Sequence, residues 1–472
     1  MNGLTHICEP ARQTPVVREV DVLVCGGGLS GIGAALGAAR AGARTLLVER
    51  HASPGGPATH TLMNTWNVPV ACMTGVAHEV ACALVARGAA VDAGPTFPFD
   101  PEAFKTLALE QLQTAGVELL TYSWITDPIV EHGTIRGVFV HNKSGRQALL
   151  AKSVVDATGD ADVTAAAGGE YVKGRESDGR MRPVSVLFRV GGVDLARTIE
   201  YCRANPRDFT ADPNFHILDP AHGLVRLSGF FGIAERARAR GELPEEVHYI
   251  RMEGVDVARG VVMVNNSRVY GVDGTNAWDL SRADLEARRQ NRLLFDVIRR
   301  EIPGFEHAWV IDSSASLGVR ETRRARAPHV LTQDELLAQR STPRGIARIW
   351  RHMAAGRDWH KVGGGEGAPD DAVYRTGTTD LTWFEIPWGV FTPNGVEGLL
   401  VAGRALSATH DADMWIRGQY CCLVTGQVAG VAAALAARDG VAPHALDVAG
   451  LRRALAAQGV DTGATHTGPT TQ

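Results

Sequence analysis

Apolar positions cluster in short unbroken runs, and the residues ending each run are small. "DVLVC" (21–25) reads as a buried parallel strand, "SGIGAALGAARAG" (30–42) as a helix whose small residues allow close packing on a sheet, and "TLLVE" (45–49) as the next strand. Together they form a βαβ unit. "SVVDATGD" (153–160) and "GLLVAGR" (398–404) are further apolar runs that finish in small residues. Between the first pair and these, "ITDPIVEHGTIRGVFVHNKSGRQALLAK" (125–152) alternates apolar and polar residues around turn signals at "EHG" and "KSG", which predicts a three-stranded meander. Farther on come a strand at "VSVLFRVGG" (184–192), a helix at 281–301 with Ser281 as its N-cap, and a Gly-rich loop, "VGGGEGAPDD" (362–371). That loop has neither a strand before it nor a helix after it, so it reads as a linker or lid. The end of the chain past Gly459 is polar and reads as a disordered tail.

The glycines after the first strand supply the chemistry. Gly26, Gly28 and Gly31 make a G-x-G-x-x-G turn. The first permits the tight turn, the second lets a pyrophosphate approach the backbone, and the third packs helix on strand. Helix-terminal N–H groups then face the phosphate. Glu49, at the end of the second strand, is placed to accept hydrogen bonds from a ribose. An ADP-containing dinucleotide is the expected ligand. The strand ending at Ala157, Thr158 and Gly159 brings backbone near the adenosine half, with an ordinary strand-to-loop glycine as the alternative.

Composition narrows the class. The chain has 472 residues, 45% hydrophobic and 21% charged, with a formal net charge of −4. At roughly 100–200 residues per domain this predicts two or three globular domains. No basic surplus points to nucleic acid or an anionic membrane. The start, "MNGLTHICEPARQTPVVRE", lacks an apolar leader core, and the Ala-rich run Val424–Ala437 is short for a bilayer, so a cytoplasmic protein is expected. The seven cysteines show no CxxC and no Cys/His spacing for zinc or an iron–sulfur cluster, so no metal is expected. Cys421 and Cys422 read as reduced packing residues.

With "RHASPGGPATHTL" after Glu49, "SVVDATGD", "GLLVAGRALSATHDADMWIRGQ" and "TGQVAG", together with "RPVSVLFRVGGVD", "NNSRVYGVDGT", "IPGFE" and "LGVRETRR", the chain resembles the FAD-dependent oxidoreductases of glutathione-reductase type. Within them it is similar to a large bacterial family related to the flavin domains of fumarate reductase and heterodisulfide reductase. The resemblance spans nearly the whole chain. It implies an α/β fold: a Rossmann-like FAD-binding domain from residues 1–169 and 384–472, with an inserted β-rich substrate domain at 170–383. It also implies cofactor roles for Ser30, Arg50, Gly55, Gly56 and Thr59, for Ile125 near the adenine, and for Gly403 and Arg404 at the pyrophosphate. Gly426 and Gln427, read as a helix N-terminus, would face the flavin N1/O2 edge.

The implied activity is hydride transfer between FAD and a small organic substrate, by a dehydrogenase, an oxidase or a double-bond reductase. A monooxygenase and an electron-transfer subunit are the alternatives. A pyridine-nucleotide disulfide reductase would need a second dinucleotide motif and a redox cysteine pair, and neither is present. The "GADG" and "GDAAH" of single-component hydroxylases are replaced here by "DATGD" and "GRALSAT". The partner expected is a small-molecule substrate, with no nucleic acid or membrane, and with a homo-oligomer open.

His60, His410 and Arg417 are the catalytic candidates. His60 is open between a proton carrier, a covalent flavin tether and a histidine bonded to backbone. His410, Asp411 and Arg417 are open between substrate contacts and a capping loop. Arg320, Glu321 and Arg324 suit either an anionic substrate or an ion network that fastens the domains. Trp66, Trp383, Phe384 and Trp388 suit a substrate cavity or the core.

Overall fold

The structure is a computed structural model that describes residues 7–92, 94–353 and 379–463. The loop at 362–371 and the end of the tail lie outside the described residues. The start of the tail is not loose, because Val460 and Asp461 are buried and the Asp461 carbonyl accepts from Arg348 N–H at 2.6 Å.

Strand β1 (Val16–Cys25), helix α1 (Leu29–Arg40) and strand β2 (Thr45–Val48) form the expected βαβ unit, with the strands parallel. Among the described residues they belong to a seven-stranded sheet organised by one long strand, Gly145–Asp156. Its first half pairs antiparallel with Thr134–Asn142, which in turn pairs with Trp124–Glu131; this is the predicted meander. Its last three residues pair parallel with Leu399–Val401, while β1 runs along its other side. One strand therefore joins the parallel part of this sheet to the meander, and it carries Asp156 and the turn after it to the same edge as the ends of β1 and β2.

The long helix Gln419–Asp439 packs directly on α1. Four glycines explain how closely. A Cβ on Gly33 would lie 2.1 Å from Leu423 O and one on Gly37 2.7 Å from Gln427 O, while one on Gly426 would lie 2.0 Å from Ser30 O and one on Gly430 1.9 Å from Ala34 O. The two backbones touch, so no side chain fits between them. By length and composition this helix is apolar enough to cross a membrane, and 94% of its apolar stretch is buried inside the protein. Cys421 and Cys422 are free thiols in it, and burial pushes Cys422 up to about 12.

The middle of the chain builds a second, antiparallel sheet of six strands, from Ile217–Asp219 at one edge to Trp309–Ser313 at the other. Its core of Phe188, Val190, Leu227, Ile250 and Met252 packs on Leu294, Val297 and Ile298 of the helix Ala277–Glu301. That helix starts a turn earlier than the sequence predicts. Asn276 caps it by accepting from Trp278 N–H and Asp279 N–H, whereas the Ser281 hydroxyl donates back to Ala277 O inside the first turns. The hairpin Gly345–Met353 with Asp380–Pro387 runs across the expected boundary at 383, and its Ile346, Ile349, Phe384 and Ile386 join the larger core around α1. Trp66 and Trp388 belong to that core too, so of the four aromatics proposed for a cavity, three are packing residues; Trp383 lies under the Arg348 guanidinium at 4.2 Å.

Candidate functional site

A cavity of about 440 Å³ opens where the parallel strands end and reaches across to the second sheet. Open α/β sheets collect ligands at this edge. Gly26 and Gly28 follow β1, Glu49 follows β2, Ala157, Thr158 and Gly159 follow Gly145–Asp156, and Arg404 follows Leu399–Val401; all line it.

The three motif glycines have different surroundings. Gly26 has φ +102, and a Cβ there would lie 2.7 Å from Ala157 O, so both conformation and proximity require glycine. Gly28 is the N-cap of α1 with an ordinary φ of −66, and a Cβ there meets nothing within 4 Å, because it points into the cavity. Gly31 does not line the cavity; its Cβ would strike Gly26 O at 1.8 Å.

Glu49 is buried and held, with Gly27 N–H donating to Oε2 at 2.6 Å and His51 N–H to Oε1 at 2.8 Å. Each carboxylate oxygen keeps a further lone pair for a ribose hydroxyl. Arg404 donates through Nη2 to Asp160 Oδ1 at 2.8 Å, while its buried Nη1 has no hydrogen-bond partner among the described residues. A buried guanidinium nitrogen left open beside a glycine turn fits a phosphate oxygen. The residues present therefore fit an ADP-containing dinucleotide. Ser30, Arg50, Gly56 and Ile125 also line the cavity, and Arg50 lies over the Trp124 ring at 5.3 Å. Gly55, Thr59 and Gly403 stand behind the lining: Thr59 donates to Pro54 O, and a Cβ on Gly403 would meet Ser30 Oγ at 2.8 Å.

Three expected assignments are corrected. Gly426 and Gln427 are not a helix N-terminus; the helix begins at Gln419, Gly426 is pressed on Ser30 O, and Gln427 Oε1 accepts from Val76 N–H at 2.9 Å. The end that opens to the cavity is Gly418–Gln419, which presents the positive pole of the long helix. His410 does not line the cavity. Its Nδ1–H donates to Glu321 Oε1 at 2.9 Å inside a buried ion cluster. There Arg182 Nη1 lies 3.1 Å from both Glu321 Oε2 and Asp413 Oδ2, and Arg324 pairs with Glu321 while donating to Ala408 O and Gly174 O. Burial raises the Asp413 carboxyl, whereas His410 and Arg182 overcome burial and hold Glu321 below its usual range.

His60 and Arg417 do line the cavity. His60 Nε2 lies 2.9 Å from Ser53 O, so that nitrogen carries the proton, and the ring packs on His51 at 4.3 Å. Of Arg320, Glu321 and Arg324, Arg320 lines the cavity, donating to Pro183 O at 2.6 Å, while Glu321 and Arg324 belong to the fastening network.

Beside Arg320 and Arg417, the far end comes from residues the sequence did not single out. Arg251, Arg268 and Tyr249 come from the second sheet and the segment after it, Phe215 from its rim, and Arg351 and His352 from the hairpin strand. Glu253 stands behind Arg251 and Arg226, and it accepts from Thr65. Burial alone would raise its carboxyl, but the two arginines hold it at about 2. His352 has both ring nitrogens buried with no hydrogen-bond partner among the described residues, and burial lowers its pKa. One local signal was available: in Ile250–Asp256, Arg251 and Glu253 alternate with Ile250 and Met252, which puts two charges on one face of a strand.

A family model described as "FAD dependent oxidoreductase" matches residues 21–455. Among curated proteins, the thiamine thiazole synthase of Methanococcus aeolicus is 33% identical over 159 residues, 31% of this chain and 57% of that protein. Aklavinone 12-hydroxylase DnrF of Streptomyces peucetius is 46% identical over 74 residues, 16% of this chain and 15% of that protein. The chain thus spans little more than half of the first relative and a small part of the second. Among solved structures, the flavin-dependent brominase Bmp2 is 12% identical, covering 93% of this chain and 83% of that one, with a TM-score of 0.47. The p-nitrophenol 4-monooxygenase PnpA of Pseudomonas putida is 13% identical over 94% and 89%, also with a TM-score of 0.47.

Proposed function

Because the chain belongs to the FAD-dependent oxidoreductase family, an enzyme family whose cofactor is FAD, we propose that it moves a hydride between the flavin and a small organic molecule, as a dehydrogenase, an oxidase or a double-bond reductase. The observation that carries this reading is the continuity of the cavity: one end is a dinucleotide cradle, and the other is lined by residues from the middle of the chain that no dinucleotide motif requires. We place the cofactor with residues 1–169 and 384–472 and the substrate with 170–383, and we propose the glutathione-reductase-type relation on the long shared strand and its meander.

Gly26 and Gly28 admit the pyrophosphate, Arg404 Nη1 and the N-terminus of α1 neutralise it, and Glu49 accepts from the ribose. Bound there, FAD supplies a two-electron acceptor and donor. The N–H groups at Gly418–Gln419 present a positive helix end to the same cavity, which favours negative charge beside it. Oxidising a C–H bond next to a hydroxyl or amine also requires a base for the O–H or N–H proton. We assign that task to His352, which lines the cavity and whose imidazole burial keeps neutral. His60 is tied through Nε2 to Ser53 O and serves the cradle wall.

Anaerobic mixing of the loaded protein with small organic molecules tests the reading. Bleaching of the flavin band by a small molecule alone is the expected result, and reduction only by a protein partner rejects it. Resemblance to a hydroxylase over 74 residues favours a second reading, oxygen insertion. Mass spectrometry of product formed under ¹⁸O₂ separates the two; no label is expected.

A further inference from the structure

We propose that Gln419, clamped between Met63 and Trp66, is a positioning residue that sets the reduction potential of the bound flavin, by fixing the first turn of the helix Gln419–Asp439 against it. This deepens the hydride-transfer reading and rests on its placement of the flavin beside Gly418–Gln419.

The seam between the two helices places that turn. Gly426 is pressed on Ser30 O at the start of α1, beside the phosphate turn, and Gly418 lies two helical turns before it, about 12 Å along the axis. Glu49 draws the adenosine half of a dinucleotide the other way, so it is the flavin half that spans this distance. Gly418 and Gln419 both line the cavity, and Gly418 caps the helix with no side-chain hydrogen bond, which leaves the positive pole of the first turn uncovered. A hydride delivered to the flavin brings one negative charge with it. The pole therefore favours the reduced form over the oxidised one, and its distance and direction decide by how much.

A side-chain amide fixes both. Gln419 Nε2 donates to Met63 O at 2.7 Å, and Gln419 Oε1 accepts from Trp66 Nε1–H at 2.9 Å. An indole N–H only donates and a carbonyl only accepts, so the amide fits in one orientation. Neither bond serves the helix itself; both cross to the short segment Met63–Trp66, of which Met63 and Thr65 also line the cavity. That segment is firmly seated. Trp66 is buried in the strand Thr65–Trp66, which pairs with Phe97–Pro98, and its ring stands 5.4 Å from Phe97, 5.5 Å from Phe99 and 6.4 Å from Phe104. Rings packed this closely hold their place. Thr65 in turn donates to Glu253 of the second sheet, so the wall to which the helix is tied is anchored on both sides.

The test is the midpoint potential of the FAD-loaded protein, measured anaerobically against a redox dye with no organic substrate present. Gln419→Leu should move the balance of oxidised and reduced flavin roughly 10-fold toward the oxidised form, about 30 mV downward for a two-electron couple. Trp66→Phe keeps a ring in the core and loses only the donor, so it should shift the potential the same way by less, and the double variant should shift it no further than Gln419→Leu alone. Phe97→Leu is the control: it loosens the same core and should lower the unfolding midpoint while leaving the potential in place. If Gln419→Leu does not retain FAD, Trp66→Phe decides. Loaded variants at the wild-type potential, an upward shift, additive shifts in the double variant, or an equal shift in Phe97→Leu would each overturn the proposal. A protein whose variants shift as expected but that no small organic molecule reduces would lose the hydride-transfer reading alone. One that exchanges hydride while its variants keep the wild-type potential would lose the proposal alone.

Discussion

Arg320 and Glu321 are adjacent in the chain and face opposite ways: the Arg320 guanidinium borders the cavity, while the Glu321 carboxylate is enclosed between His410, Arg182 and Arg324. One peptide bond separates a cavity-lining side chain from the ion cluster that ties residues 174–182 and 321–324 to 408–413.

The two positions should therefore fail differently. Glu321→Gln leaves buried cations without their partner and should cost about 3–5 kcal/mol, seen as a lower midpoint in denaturant unfolding. Arg320→Met should unfold near the wild-type midpoint and show its defect in substrate KM. Equal loss of stability in both would contradict the division.

Gly28→Val separates cofactor from fold. Gly28 has an ordinary φ and open space at its Cβ, so the apo protein should melt as the wild type does while losing FAD, measured as flavin absorbance per protein. Gly31→Ala drives a methyl into Gly26 O and should lower the melting temperature as well. A Gly28→Val protein that stays fully yellow would refute this use of the turn.

His352→Ala should lower turnover about 100-fold at unchanged FAD content. Because burial lowers the pKa of His352, outweighing Asp212 and Asp380, which favour its charged form against Arg226 and Arg351, the base is active above a pKa below the ordinary histidine value. In the wild type, kcat/KM should fall on the acid side through that pKa, and the limb should vanish in the variant. His60→Ala should instead reduce stability by about 1–3 kcal/mol, with turnover tracking loaded protein. Flavin should separate from the wild-type chain on denaturing gel filtration.

Glu253 sets an acid limit. Its carboxyl titrates near 2 when folded against 4.5 for an ordinary glutamate, so the unfolded chain binds the proton first. The associated stability is complete above about pH 4.5 and is lost as pH falls toward 2. Urea unfolding across that range should show a slope that Glu253→Gln removes.

The cradle was legible because its signals are local. An apolar run, a glycine turn and a terminal acid follow one another within 30 residues, and chain order alone sets them at one sheet edge. The far end was legible only at Arg320 and Arg417, since Tyr249, Arg268 and His352 join them only through the second sheet and the hairpin. His410 was misread because closeness in sequence to the cofactor strand says nothing about which way an imidazole turns. Gly426 was misread because a glycine spaced for helix contact looks, in sequence, like a helix start; the true start at Gly418 stands between Arg417 and Gln419 without a Ser, Thr, Asp or Asn cap.

The seam of Gly33, Gly37, Gly426 and Gly430 also bears on the order of biosynthesis. The βαβ unit is synthesised well before the helix Gln419–Asp439, and until that helix follows the glycine face of α1 has no cover. A nascent chain therefore carries a finished phosphate turn on an unfinished support, and flavin retention should begin only once that helix has emerged, as an all-or-none event in synthesis.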